Sequence, residues 1–150
     1  MNLEVFEDIW TLGQIEEEFE IPGAEKVHTV RMATLWEDDL TKIKKRAVEV
    51  AAVSNESVIE SVRVFETLVE SILSIDGHAF YNPDNLSEHQ ALKAQLRELL
   101  RKCSPHIINF LYSKYLEISG KAYELIRERI EVAKKSSGPS QQNSSPPNLD

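Results

Sequence analysis

The chain has 150 residues, is 41% hydrophobic and 28% charged, and carries a formal net charge of −8. Those values suit one soluble globular domain with its own core. They leave no apolar run near the roughly 18–20 residues that span a bilayer, and the first ten residues lack the basic start and apolar centre of a secretory signal.

Charge is uneven along the chain. Residues 1–40 hold 11 acids against Lys26 and Arg31, whereas the other 110 residues hold 14 acids and 15 bases. Such a field repels nucleic acid and anionic lipid, and suits either a solvated arm or a basic protein surface. Within residues 1–25, Phe6, Ile9 and Trp10 share one helical face, so this acidic arm is expected to dock loosely through them.

Ile21-Pro22-Gly23-Ala24 reads as a type II turn. From Lys26 to Ala33 the residues alternate and are rich in Val and Thr, which predicts a strand. A lone strand is unstable, and its partner is left open between the His78–Tyr81 segment, a second chain and a bound peptide. Thr34 and Glu37 have the spacing of a capping box, opening a helix with Trp36, Leu40, Ile43, Ala47 and Val50 on one face. After a turn at Val53–Glu56, Val58, Val62, Phe65, Val69 and Ile72 predict a central helix that ends at Asp76-Gly77. A second capping box, Ser87 with Gln90, opens a leucine-rich helix, with Leu86 expected to staple it onto Ala91. Ser104-Pro105 starts the last helix, in which Ser119-Gly120 marks a bend, and from Ser136 the chain reads as a disordered tail.

The expected fold is therefore mainly α: a bundle of about four helices over residues 26–135, one short N-terminal strand or hairpin, and a disordered tail over 136–150.

No constellation of catalytic, cofactor-binding or metal-binding residues emerges. Cys103 and His106 have a CxxH spacing but straddle a helix break, and two ligands do not make a zinc site. Glu37, Asp38 and Asp39 are explained by the favourable field at a helix start. The five glycines are isolated, so no phosphate-cradling loop is present. Cys103 is the only cysteine, which excludes an internal disulfide and suits a reducing cytoplasm. A non-enzymatic, cytoplasmic binding protein is the expectation, with no cofactor, no nucleic acid and no membrane partner. A surplus of large apolar residues on the last helix points to a groove for a helical protein partner.

Three stretches, VHTVRM with ATLWEDDL, LVESILSIDG, and LKAQLRELLRKCSPHIINFLYSKYLEI, together resemble the tail and baseplate-hub assembly chaperones of tailed bacteriophages over about residues 27–118. The resemblance implies a small helical protein that covers an aggregation-prone helical partner, such as the tape-measure protein, in the host cytoplasm until assembly. The groove it implies is placed on Phe65, Val69, Ile72, Tyr112, Tyr115 and Leu116. The acidic arm and the extension after Ile118 depart from the pattern. They keep open a structural adaptor retained in the virion, an acidic regulator of a basic host protein, and a homo-oligomer.

Overall fold

The structure is a computed structural model that describes residues 3–53 and 58–142. Val53, the first residue of the expected turn, still belongs to a helix; Ser54–Glu56 and the tail from residue 143 lie outside the described residues. In chain order the elements are α1 (Leu3–Thr11), β1 (Glu16–Pro22), β2 (Val27–Ala33), α2 (Glu37–Val53), α3 (Ile59–Ser71), β3 (Ile72–Ile75), β4 (His78–Ala79), α4 (Leu86–Arg101) and α5 (Pro105–Gln142). The strands form one antiparallel sheet in the order β1-β2-β3-β4. Among the described residues, five helices around a four-stranded sheet thus replace the expected bundle of about four helices with a single strand or hairpin.

The missed strands have identifiable causes. β1 is dominated by glutamates, poor strand formers, yet Glu17, Phe19 and Ile21 alternate inward against outward Glu16, Glu18 and Glu20. Pairing runs from Glu16 opposite Ala33 to Pro22 opposite Val27, so the acidic arm itself completes the predicted strand. Its connection is not a type II turn: Gly23 has no positive φ, and its N–H instead donates to the Lys26 carbonyl at 2.8 Å.

On its other edge β2 pairs with β3, with a bulge at Arg31/Met32. The central helix therefore stops at Ser71, and Ile72–Ile75 are strand. Asp76 and Gly77 do not cap a helix. Both have positive φ, 50° and 80°, the conformation of a two-residue hairpin turn between β3 and β4. Asp76 also ties the turn to β2, since its carboxylate accepts from the Thr29 N–H at 2.8 Å and meets His28 Nδ1 at 2.5 Å. Those bonds hold the Asp76 carboxyl below its ordinary range.

Neither capping box forms. Thr34 Oγ1 instead accepts from the Ile15 N–H and donates to the Gly13 carbonyl, both at 3.1 Å, clasping the start of β1 to the end of β2. The start of α2 is capped the other way round, with Asp39 reaching back to the Trp36 N–H at 3.3 Å. At α4 the cap is Asn85, which accepts from the Glu88 N–H at 3.1 Å, and Leu86 is exposed rather than stapled. Ser104 and Pro105 do open α5, which passes Ser119-Gly120 as one helix and continues beyond residue 135 to Gln142.

Val30 and Met32 of β2 share one core cluster with Leu68, Val69 and Ile72, Leu96 and Leu100, and Leu111, Tyr115 and Ile118 of α5. Full burial of each such side chain stabilises by about 1.5–3 kcal/mol. β1 is fastened to α5 by the edge-to-face contact of Phe19 with Phe110, centroids 6.3 Å apart, and by Lys121 with Glu17 at 2.6 Å.

Two glycine substitutions should have opposite signs. Gly120 is exposed and helical, and a Cβ there meets nothing within 4 Å. Gly120→Ala is expected to raise stability by about 0.5–1 kcal/mol. Gly77→Ala, also without a neighbour but at φ +80°, is expected to lower it by about 1 kcal/mol. Urea unfolding of both variants, with slopes unchanged, checks the pair.

Candidate functional site

Three features stand out on the finished fold: a polar cavity, a charged cluster and an apolar stripe. The cavity, about 620 Å³, lies where residues 14–16, the start of α2, the end of α3 and α4 converge. Trp36, Asp39, Glu70, Tyr81, His89 and Lys93 line it. Lys93 is buried and donates to the Val69 carbonyl at 2.8 Å, and desolvation lowers its pKa although Glu70 and Asp39 oppose the shift. His89 Nδ1 accepts from the Asn82 N–H at 2.9 Å, so a neutral ring carries its proton on Nε2.

Nearby, the buried Glu66 carboxylate meets Arg46 at 3.1 Å and Arg97 at 3.1 Å, tying α2 and α4 to α3. Both guanidiniums spend their charge on this one acid, a structural use. Burial pushes the Cys103 thiol up, away from the thiolate that nucleophilic chemistry needs. Among the described residues no cluster of three or more His, Cys, Asp or Glu could hold a metal ion, and no helix is long and apolar enough to cross a membrane.

The six residues expected to form a binding groove are divided by the fold. Val69, Ile72 and Tyr115 belong to the core, and burial raises the Tyr115 phenol pKa. Phe65 and Tyr112 are half-buried against that core. Phe65 also lines a depression of about 420 Å³ with Val64, Leu100, Pro105 and Ile108. Leu116 alone stands outside, 52% exposed. The six do not form one groove.

Leu116 instead belongs to a second stripe on α5. Tyr112, Leu116, Ser119, Tyr123, Ile126 and Ile130 recur at spacings of 4, 3, 4, 3 and 4, which place them on one face. Tyr123 is 66% exposed and Ile130 49%. This face sits about 100° around the helix from the core face of Leu111, Tyr115, Ile118 and Ala122. Comparisons with known protein families, curated proteins and solved structures find no match.

Reasoning from sequence counted Tyr123 in the apolar surplus of the last helix but left it and Ile130 out of the expected groove, though their seven-residue repeat with Leu116 was a readable signal. The helical face of Phe6, Ile9 and Trp10 read from the sequence does form, as α1, but these residues and Leu3 are exposed rather than docked. The edges of the α5 stripe are mixed in charge: Arg127 is followed round the helix by Glu131 and Glu124, and on the other side Arg129 stands on the bearing of the core face.

Lys93 yields a test of sign. Because its folded pKa lies below 10.5, the folded state binds fewer protons than the unfolded chain between that lowered value and 10.5. Stability should accordingly rise as pH climbs through this window. Lys93→Met is expected to abolish the rise and to change stability at pH 7 by less than about 1 kcal/mol. Denaturant unfolding at neutral and alkaline pH measures both effects.

Proposed function

We propose that the chain is a non-enzymatic assembly chaperone that covers an amphipathic helix of a tail or baseplate protein, such as the tape-measure protein, through the second stripe of α5. The observation that carries this reading is the exposed repeat of Leu116, Tyr123 and Ile130 on a helix whose neighbouring flank, about 100° away, already packs the core. A spacing of seven residues fits a partner helix laid along α5, the packing used by coiled coils. Exposed apolar surface of this kind is held back from self-aggregation by the charges beside it, and its cover by a partner stabilises both. The resemblance over residues 27–118 supports the same class of partner.

The outward row of Glu16, Glu18 and Glu20 on the edge strand favours a second reading, an acidic surface for a basic host protein. The two readings use different residues and are separable.

Affinity capture of tagged protein from the producing cells, beside an inventory of finished particles, tests them. Wild type is expected to retain a long helical tail protein, and Tyr123→Ala with Ile130→Ala to weaken that capture by roughly tenfold or more. The chain itself is expected to be absent from particles. Capture of a basic host protein that survives the stripe variants but is lost with Glu16, Glu18 and Glu20 changed to Gln would replace the chaperone reading. Abundance in finished particles would make the chain an adaptor.

A further inference from the structure

We infer that the outer edge of β1 takes up one further antiparallel strand, an extended segment of a partner chain that carries Lys or Arg at every second residue. Such a contact lies outside the chaperone reading; it rests on the acidic-surface reading and adds to it the backbone edge of the strand.

Bonds from the Thr34 N–H to the Ile15 carbonyl, 3.0 Å, and from the Gly23 N–H to the Lys26 carbonyl, 2.8 Å, bracket the pairing of β1 with β2. Bonded pairs in an antiparallel ladder recur at every second residue, so Glu17, Phe19 and Ile21 turn their backbone N–H and C=O groups toward β2. Glu16, Glu18 and Glu20 turn theirs away from it. Among the described residues no strand and no other backbone group meets them there. The register of β1 is unbroken from Glu16 to Pro22, without a bulge to bend the edge aside. At the sheet's other margin β4 has only two residues, too few to form a comparable template.

The side chains of β1 state what fits beside it. Glu16, Glu18 and Glu20 are exposed on the outer face. Arg31, which lies opposite Glu18, turns its guanidinium to Glu16, and no salt bridge forms at Glu18 or Glu20 among the described residues. Residues of an added antiparallel strand that stand directly opposite these two share their face of the sheet, about 4.5–5.5 Å away, where a cation is favoured and an acid is not. On the inner face Phe19 and Ile21 stay half-buried, and Lys114 of α5 reaches over the Phe19 and Phe110 rings at 5.9 and 5.6 Å. Alternate apolar residues of the added strand would extend that cover over Phe19.

A second copy is a poor occupant. Two β1 edges paired antiparallel set glutamate against glutamate, because opposite residues must both turn their backbone groups to the shared seam. A parallel pairing turns one copy over and sets its Phe19 and Ile21 beside the glutamates of the other. The glutamate row therefore keeps copies apart while it leaves the ladder open to a basic strand.

A synthetic peptide tests the added strand on the full chain. The peptide matches the seven residues of β1, alternates Lys with Val and is blocked at both ends. Its control is methylated on the backbone nitrogens of the lysines, which keeps every charge and blocks the ladder. In the free protein the amides of Glu16, Glu18 and Glu20 should exchange with solvent faster than those of Glu17, Phe19 and Ile21, and the peptide should slow the first set at least about tenfold. By fluorescence anisotropy the methylated control should bind at least about tenfold more weakly, as should the peptide itself to a Glu18→Lys, Glu20→Lys variant. That variant should instead take up a peptide alternating Glu with Val, and slow exchange at Glu17, Phe19 and Ile21 shows that its β1 is intact. Slow exchange of Glu16, Glu18 and Glu20 in the free protein means that the edge is already occupied and overturns the proposal. Equal binding of the methylated control overturns the added strand and leaves a plain acidic surface. Failure of the alternating peptide to bind overturns it too, while capture of a basic protein that is lost with the three glutamines keeps the acidic-surface reading standing. Peptide uptake without such a capture would leave the added strand and remove the host-protein reading.

Discussion

Burial of Val30 and Met32 in one cluster with Leu111, Tyr115 and Ile118 is the constraint on which the rest depends. It makes β2 the middle of the structure rather than its border. With its inner face fixed on α5, β2 still presents two edges of unpaired backbone groups, each of which must find partners. The acidic segment supplies one edge as β1 and the segment after α3 supplies the other as β3. Thr34 locks the first arrangement from the end of β2, and Asp76 locks the second from the turn that follows β3. The same α5 face therefore sets the sheet, the exit of α3 and the position at which the N-terminal segment meets the last helix.

Helical periodicity was legible because the buried faces of α2, α3 and α5 repeat over several turns. Ile43, Ala47, Leu68, Val69, Leu111, Tyr115, Ile118 and Ala122 all fall where a 3.6-residue period places them, and all are buried. The strands were harder for physical reasons. In β1 the glutamates hid a period of two behind a run of charge, and strand propensity says little where the outer face is solvated. In β3 the residues Ile72 and Ile75 fit both the preceding helical stripe and a short strand. Asp-Gly carried the deciding signal, since it is both a helix stop and a hairpin turn, and only long-range pairing chooses between them. Thr34 and Ser87 show the same limit: a hydroxyl at a capping position caps only if no longer-range acceptor or donor claims it.

The exposed apolar face proposed as a binding surface was legible in its type and not in its membership. Apolar periodicity identifies a face that avoids water without saying whether the chain or a partner covers it, so Val69, Ile72 and Tyr115 carried the same signature as Leu116. What separates them is geometric. α3 is enclosed on several sides by α2, α4, α5 and the sheet, and its apolar surplus is consumed internally. α5 is not. Its 38 residues would extend about 57 Å at 1.5 Å per residue, whereas a compact domain of this chain length is about 40 Å across.

That difference in length explains why the unpartnered surface lies where it does. None of residues 123–136 is fully buried, although the stripe that begins at Tyr112 continues through Tyr123 and Ile130. A projecting helix needs polar side chains all round to be stable in water, and α5 supplies them on only part of its circumference. At the other end of the chain α1 has the converse imbalance, an apolar arc on a helix too short to persist unsupported. Gly13 brings the two imbalances to the same end of the molecule by seating the N-terminal segment against Ile126.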